Sequence, residues 1–209
     1  MIVYKATNKD MICTSGEGLF QYRLGVPATA EKSKCADAGL HACEYVLDCT
    51  WYYGMGKYNR YFKAKAEGDI AEDGHDTRIA CTRLTLLKEL TNRDIAKEAM
   101  LYMIHHPRRN NWKTSRHMVQ VNENTAEIRI PDGIAIARGQ HPKVSGCAGA
   151  HLGLIREKKE RSRRPRYLMW TESISCRECG TPWKTWQKQK GGSRHEVDRD
   201  TQGTGDTGG

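Results

Sequence analysis

The chain has 209 residues, 38% of them apolar, which suits one domain with additions or two small ones and allows a buried core. No run of 18 apolar residues occurs, so no membrane span is expected, and the start "MIVYKATNKDM" is too short and too polar for a secretory signal. The net charge of +9 is unevenly placed: residues 1–107 hold 14 Lys+Arg against 14 Asp+Glu, while residues 108–209 hold 20 against 11, as a neutral scaffold with a surface for an acidic partner would.

"MIVYKAT" reads as an opening strand, and "TSGEGLFQYRLGVPATAEKS", with its turn-formers, as a loop or loose hairpin. In "KCADAGLHAC" Asp37-Ala38-Gly39 supplies a turn into a short strand, with Gly39 free to take positive φ. From Glu44 the period changes. Tyr45, Cys49 and Tyr52 lie at i, i+4 and i+7, which predicts an amphipathic helix ended by Gly54 and Gly56. "RYFKAKA" alternates, with Phe62, Ala64 and Ala66 on one face and Lys63 and Lys65 on the other. "EGDIAEDGHD" reads as a polar turn and "RIACTRLTLL" as the next strand.

Thr91 and Asp94 fit a capping box for a helix carrying Ile95, Ala99 and Met103. Pro107 ends it, and His105 and His106 suit its negative C-terminal dipole. "PRRNNWKTSR" reads as a basic linker. Alternation returns at Ile128 and Ile130, then at Ile134 and Ile136. "HPKVSGCAGAHLGLI" reads as closely packed β-turns, with no clean repeat period visible. "REKKERSRRPR" is the strongest charge run, "YLMW" reads as a last strand, and residues 191–209 as a disordered tail. The expected class is α+β: a neutral mixed domain over 1–107, a basic β-rich region with a terminal CxxC segment over 108–190, and the tail.

The ordered elements Leu19–Tyr22, Cys35–Cys43 and Leu47–Tyr53 carry a resemblance. They are similar to an uncharacterised domain family of phages and prophages, with its C-x-x-x-G-[FL]-H-A-C segment followed by L-D-x-x-x-Y-Y. It covers about residues 2–100, and the Gly/Ala-rich stretch after Gly133 is similar to the β tail that often follows this domain. The resemblance implies a phage accessory protein acting in the cytoplasm of the host cell. It implies no activity.

Four chemistries follow from the residue types. Cys176 and Cys179 are half of a zinc knuckle, so a structural zinc is a candidate and no other cofactor is expected. The eight cysteines are irregularly spaced and suggest no disulfide framework. His41 and Cys43 share a strand face, but nothing evident orients His41, so a buried thiol beside a strand-end histidine is the favoured reading. The order of elements looks like the first half of an ADP-ribosyltransferase-type fold, which makes that enzyme class, or a nucleotide binder with a pocket at His41, Tyr52 and Tyr53, the rival reading. The leading reading, whose purpose is implied by the resemblance alone, is a non-enzymatic phage accessory protein that inhibits a host defence complex such as CRISPR-Cas. It would bind nucleic acid or a host nucleoprotein through Arg108, Arg109, Trp112, Lys113, Arg156, Lys158, Lys159, Arg161, Arg163, Arg164, Arg166 and Lys184, with cations on phosphates and Trp faces on bases.

Overall fold

In β1 (Ile2–Asn8) every residue from Val3 to Thr7 is buried, so this opening strand has two covered faces and anchors two cores. A computed structural model describes residues 1–14, 19–72, 74 and 76–158, with the backbone alone of Lys158 and of three strands farther on. Next come the two-residue ladder of β2 (Ile12–Cys13) and β3 (Phe20–Gln21), then β4 (Pro27–Thr29) and β5 (Leu40–Cys43). Gly39 enters β5 at φ +98, where a Cβ would stand 2.7 Å from the Lys32 carbonyl oxygen. The turn therefore needs a glycine.

The helix expected from Glu44 is instead a six-residue 3-10 helix, Val46–Trp51. Tyr45 before it is extended and gives no side-chain cap, and Val46 to Thr50 are all buried. An amphipathic helix alternates wet and dry positions; here five consecutive residues, Val46 to Thr50, are buried against β1, β5 and the long helix, and only Trp51 at the end is exposed. β6 (Asn59–Glu72) and β7 (Arg78–Leu90) follow as a long hairpin. The strand thus runs through most of the segment expected to be a polar turn.

These strands close on themselves. β1 pairs with β6, β6 with β7, β7 with β5, and β5 with β1, all antiparallel. The seam between β1 and β5 is narrow, a single partnered pair, Tyr4 with Cys43. Inside this small barrel lie Val3, Phe62, Ala64, Ile79, Leu84 and Leu86. Its outer face, including Tyr4, Ala6 and Tyr61, meets α1 (Asn92–His105). The capping box is present: the Thr91 side chain accepts from the Asp94 N–H, and the Asp94 carboxylate accepts from the Thr91 N–H.

After β8 (Thr114–Arg116), β9 (Val119–Ile128), β10 (Ile134–Gly146) and β11 (His151–Lys158) run parallel. Val119, Ile134 and His151 stack in register, 15 and 17 residues apart. Parallel neighbours need a crossover, and here each long strand bends to make its own. Residues 125–128 and 143–146 pair as a second wall beyond the bend, with Asn124 at φ 61 in the corner. The result is a short β-solenoid filled by small residues such as Ala126, Ala135, Ala137 and Ala150. β12 (Arg166–Ser173) pairs antiparallel with β11, β13 (Lys184–Trp186) with β10, and β14 (His195–Glu196) with β12.

The α+β class is thereby overturned. Among the described residues there is one α-helix and one 3-10 helix, set against strands throughout the chain, so the fold is β-rich. One core cluster crosses residue 107: Tyr4, Tyr45, Ile95 and Met103 pack with Val119, Val121, Ile134, Ile136 and Ile155. No described helix is long and apolar enough to cross a membrane.

Candidate functional site

The barrel seam positions a cavity of about 430 Å³, within the usual range for small-molecule sites. Tyr4, Lys5 and Ala6 line it from β1, and His41, Ala42 and Cys43 from β5. Tyr52 and Tyr53 come from the chain after the 3-10 helix, Cys13, Phe20 and Tyr22 from the β2–β3 region, and Arg78 from the start of β7. His41, Tyr52 and Tyr53, singled out in the sequence, thus face one space.

Lys5 is the unexpected member. Alternation along β1 puts it on the inner face with Val3, and it is 5% exposed. Its ammonium donates to the His41 carbonyl at 2.7 Å, so a side chain spans the seam beside the one ladder pair. It also reaches Cys13 Sγ at 3.5 Å and lies 5.3 Å from the Tyr22 ring centroid. Burial works against the charged form, but the phenol and thiol groups of Tyr22, Cys13, Tyr53 and Cys49 outweigh it and leave the Lys5 pKa above that of an ordinary lysine. At neutral pH this is a buried cation that meets a carbonyl, a thiol and the Tyr22 phenol.

The aromatic wall is held by hydrogen bonds. The Tyr53 hydroxyl accepts from Thr14 N–H at 2.7 Å and donates to Cys13 Sγ at 3.5 Å. The Tyr52 hydroxyl donates to Asp76 at 2.8 Å, while the Arg78 guanidinium stacks 5.5 Å from the Tyr52 ring centroid. Burial and then Asp76 push the Tyr52 phenol up, so it stays neutral. His41 Nε2 accepts from Ala36 N–H at 3.1 Å, which places a neutral ring's proton on Nδ1. Asp37 at the rim forms a 2.8 Å ion pair with Lys34, and that cation holds its carboxyl below the usual range. Lys5 and Arg78 are the cationic side chains of the lining, and the Asp76 carboxylate stands near Arg78 through its bond from Tyr52.

The basic residues have other surroundings. Trp112 is 8% exposed and belongs to the shared core, with the Arg138 guanidinium 5.1 Å from its ring centroid. The exposed indole face expected there is absent. Arg109 bonds the Tyr102 hydroxyl and Asn111 and lies 3.9 Å from Asp48. Lys113 pairs with Glu123 at 3.0 Å, and Arg156 donates to the Gln140 carbonyl at 3.2 Å. Arg108 is exposed. Lys158, Arg166 and Lys184 are described by backbone alone. Lys159, Arg161, Arg163, Arg164, Cys176 and Cys179 lie outside the described residues, as does most of the expected tail. Among the described residues no three His, Cys, Asp or Glu side chains form a metal-binding group.

Glu67 and Glu89, the acids available to a transferase reading, are tied to Lys65 at 2.6 Å and to Arg60 at 2.6 Å. The fold and site define a β-rich protein with a tyrosine-walled cavity that a buried lysine lines. A family model described as a domain of unknown function (DUF7666) matches residues 1–98, which span the whole barrel and the first half of α1. No curated protein and no solved structure matches the chain.

Proposed function

We propose that the chain is a binding protein whose barrel cavity takes a small anionic ligand with an aromatic ring, of which a nucleotide is the type. The observation that carries this reading is the Lys5 ammonium, buried on the wall of a 430 Å³ space beside tyrosine rings. The ammonium stays charged at neutral pH and would attract a ligand anion at this wall, while Tyr22, Tyr52 and Phe20 offer surfaces for a ring. Thermal shift and calorimetry with AMP, NAD, adenosine and inorganic phosphate test it. The phosphorylated ligands raise Tm and adenosine alone does not. Lys5→Met weakens binding about tenfold to a hundredfold, as loss of a charged hydrogen bond implies. No response to any of these at millimolar concentration rejects the reading.

The charge asymmetry favours a second reading, a phage-type accessory protein whose basic half engages nucleic acid or a host nucleoprotein, as an inhibitor of a defence complex such as CRISPR-Cas would. Its support is the excess of 20 Lys+Arg over 11 Asp+Glu in residues 108–209. The same calorimetry with a DNA or RNA duplex at two salt concentrations decides it. Binding weakens at high salt and on replacing Arg161, Arg163, Arg164 and Arg166 with Ala; no binding at low salt rejects it.

A further inference from the structure

Cys13 stands at the end of β2, half-buried, on the cavity wall. Among the groups that meet its Sγ, the Lys5 ammonium and the Tyr53 hydroxyl each donate at 3.5 Å. The Thr14 N–H holds that hydroxyl in place at 2.7 Å, and the His41 carbonyl holds the ammonium at 2.7 Å. A cation and a phenolic O–H aimed at one sulfur favour its anionic form. The other two cavity thiols differ. Cys43 and Cys49 are each 3% exposed, and Cys49 donates to the Tyr4 carbonyl at 3.3 Å. The neighbouring Cys49 first, and then burial, push the Cys43 thiol up, so it stays protonated and inert. Cys13 combines access with a cationic contact, the setting in which thiols react.

We propose that Cys13 is a reactive thiolate, the covalent modification site of the cavity, which captures a small soft carbon electrophile entering at the seam. A sulfur lone pair forms the S–C bond, and the leaving group departs with the electrons of the bond that breaks. The thiol proton has already gone to solvent, and Lys5 remains an ammonium throughout. In this step Lys5 and Tyr53 act as positioning residues. The inference does not depend on the anion reading, since the Lys5–Cys13 contact exists in a cavity that binds no anion.

The experiment uses the full chain and iodoacetamide, whose C–I bond breaks as the S–C bond forms and iodide leaves. Labelling is followed between pH 6 and 9 and read by mass spectrometry on the peptide containing Cys13. The internal references are Cys35 and Cys147, also half-buried. At pH 7 Cys13 labels about tenfold faster than either, as a thiol beside a lysine does. Lys5→Met lowers that rate about tenfold, Lys5→Arg restores most of it, and Tyr53→Phe has a smaller effect. Equal rates for the three cysteines, or a rate indifferent to Lys5→Met, overturn the proposal. If Lys5→Met fails to fold, the wild-type profile decides alone: labelling of Cys13 that rises only above about pH 8, as an ordinary thiol's does, also overturns it.

Discussion

Asp48 shows how a single buried acid couples the two halves of the chain. Its Oδ2 accepts from the Thr77 hydroxyl at 2.6 Å and from the Thr77 N–H at 3.1 Å, and the Thr77 oxygen accepts from Tyr45 N–H at 2.9 Å. Arg109, from the segment after α1, approaches to 3.9 Å. Burial holds the carboxyl above the ordinary aspartate range, against the opposing pull of the Thr77 bonds and Arg109. The folded state therefore binds this proton more tightly than the unfolded chain does. Asp48's contribution to stability falls as pH rises from the ordinary aspartate range through the raised value, then levels off. Asp48→Asn keeps an acceptor for Thr77 and flattens that dependence. Asp48→Ala leaves Thr77 without its acceptor and destabilises by about 1–3 kcal/mol at neutral pH. Urea unfolding at several pH values between 4 and 8 checks both, and an Asn variant whose slope with pH matches the wild type rules out the assignment. Arg109 was legible in the sequence as a cation beside a tryptophan. Its partner Asp48, 61 positions earlier, was not, because a buried ion pair leaves no local pattern.

The elements were legible where one period governs one face. β1, the Thr91–Asp94 capping box and the apolar stripe of α1 follow the sequence directly. The helix expected from Glu44 failed because tertiary burial takes five consecutive residues, Val46 to Thr50, where its spacing assumes alternating wet and dry positions. Lys5 was readable in principle, as a lysine on the inner face of an alternating strand. The solenoid was hidden for a different reason. Its repeat lengths of 15 and 17 residues differ, and its interior is built from alanines, which give a weak apolar signal. The return turn can be tested. Gly133 lies between β9 and β10, its N–H bonded to the Ile130 carbonyl at 3.0 Å and its own carbonyl accepting from His151 N–H at 2.8 Å. A Cβ there would meet Ile128 Cγ1 at 2.6 Å and the Ile130 carbonyl oxygen at 2.9 Å. Neither the buried side chain nor the backbone can yield freely, so Gly133→Ala destabilises by about 1–3 kcal/mol. Thermal melts read this as a loss of several degrees in Tm; an unchanged Tm refutes the packing described for this corner.

At the scale of the molecule, the barrel that bears the cavity shares a core cluster with the solenoid behind it. The cavity residues Cys49 and Tyr53 belong to the same core cluster as Ile95, Met100 and Met103 of α1, and that cluster is completed by Trp112, Val119, Val121, Ile134, Ile136 and Ile155. Residues 1–107 alone would expose the solenoid-facing side of α1. Each large apolar side chain so uncovered forfeits about 1.5–3 kcal/mol, and several together approach the roughly 5–15 kcal/mol that holds a typical domain folded. The sequence suggested a neutral domain over residues 1–107, because its charge changes near residue 107. Charge patterning reports the surface, however, and the continuity lies in the core. A 1–107 fragment is therefore expected to lose the cooperative melt of the full chain, along with nucleotide binding and the fast labelling of Cys13. Near-ultraviolet circular dichroism and a thermal melt of the fragment beside the full chain measure this. A fragment that melts cooperatively at the full chain's Tm would show that the barrel holds its cavity without the solenoid, and that the shared cluster is a contact between two independent folding units.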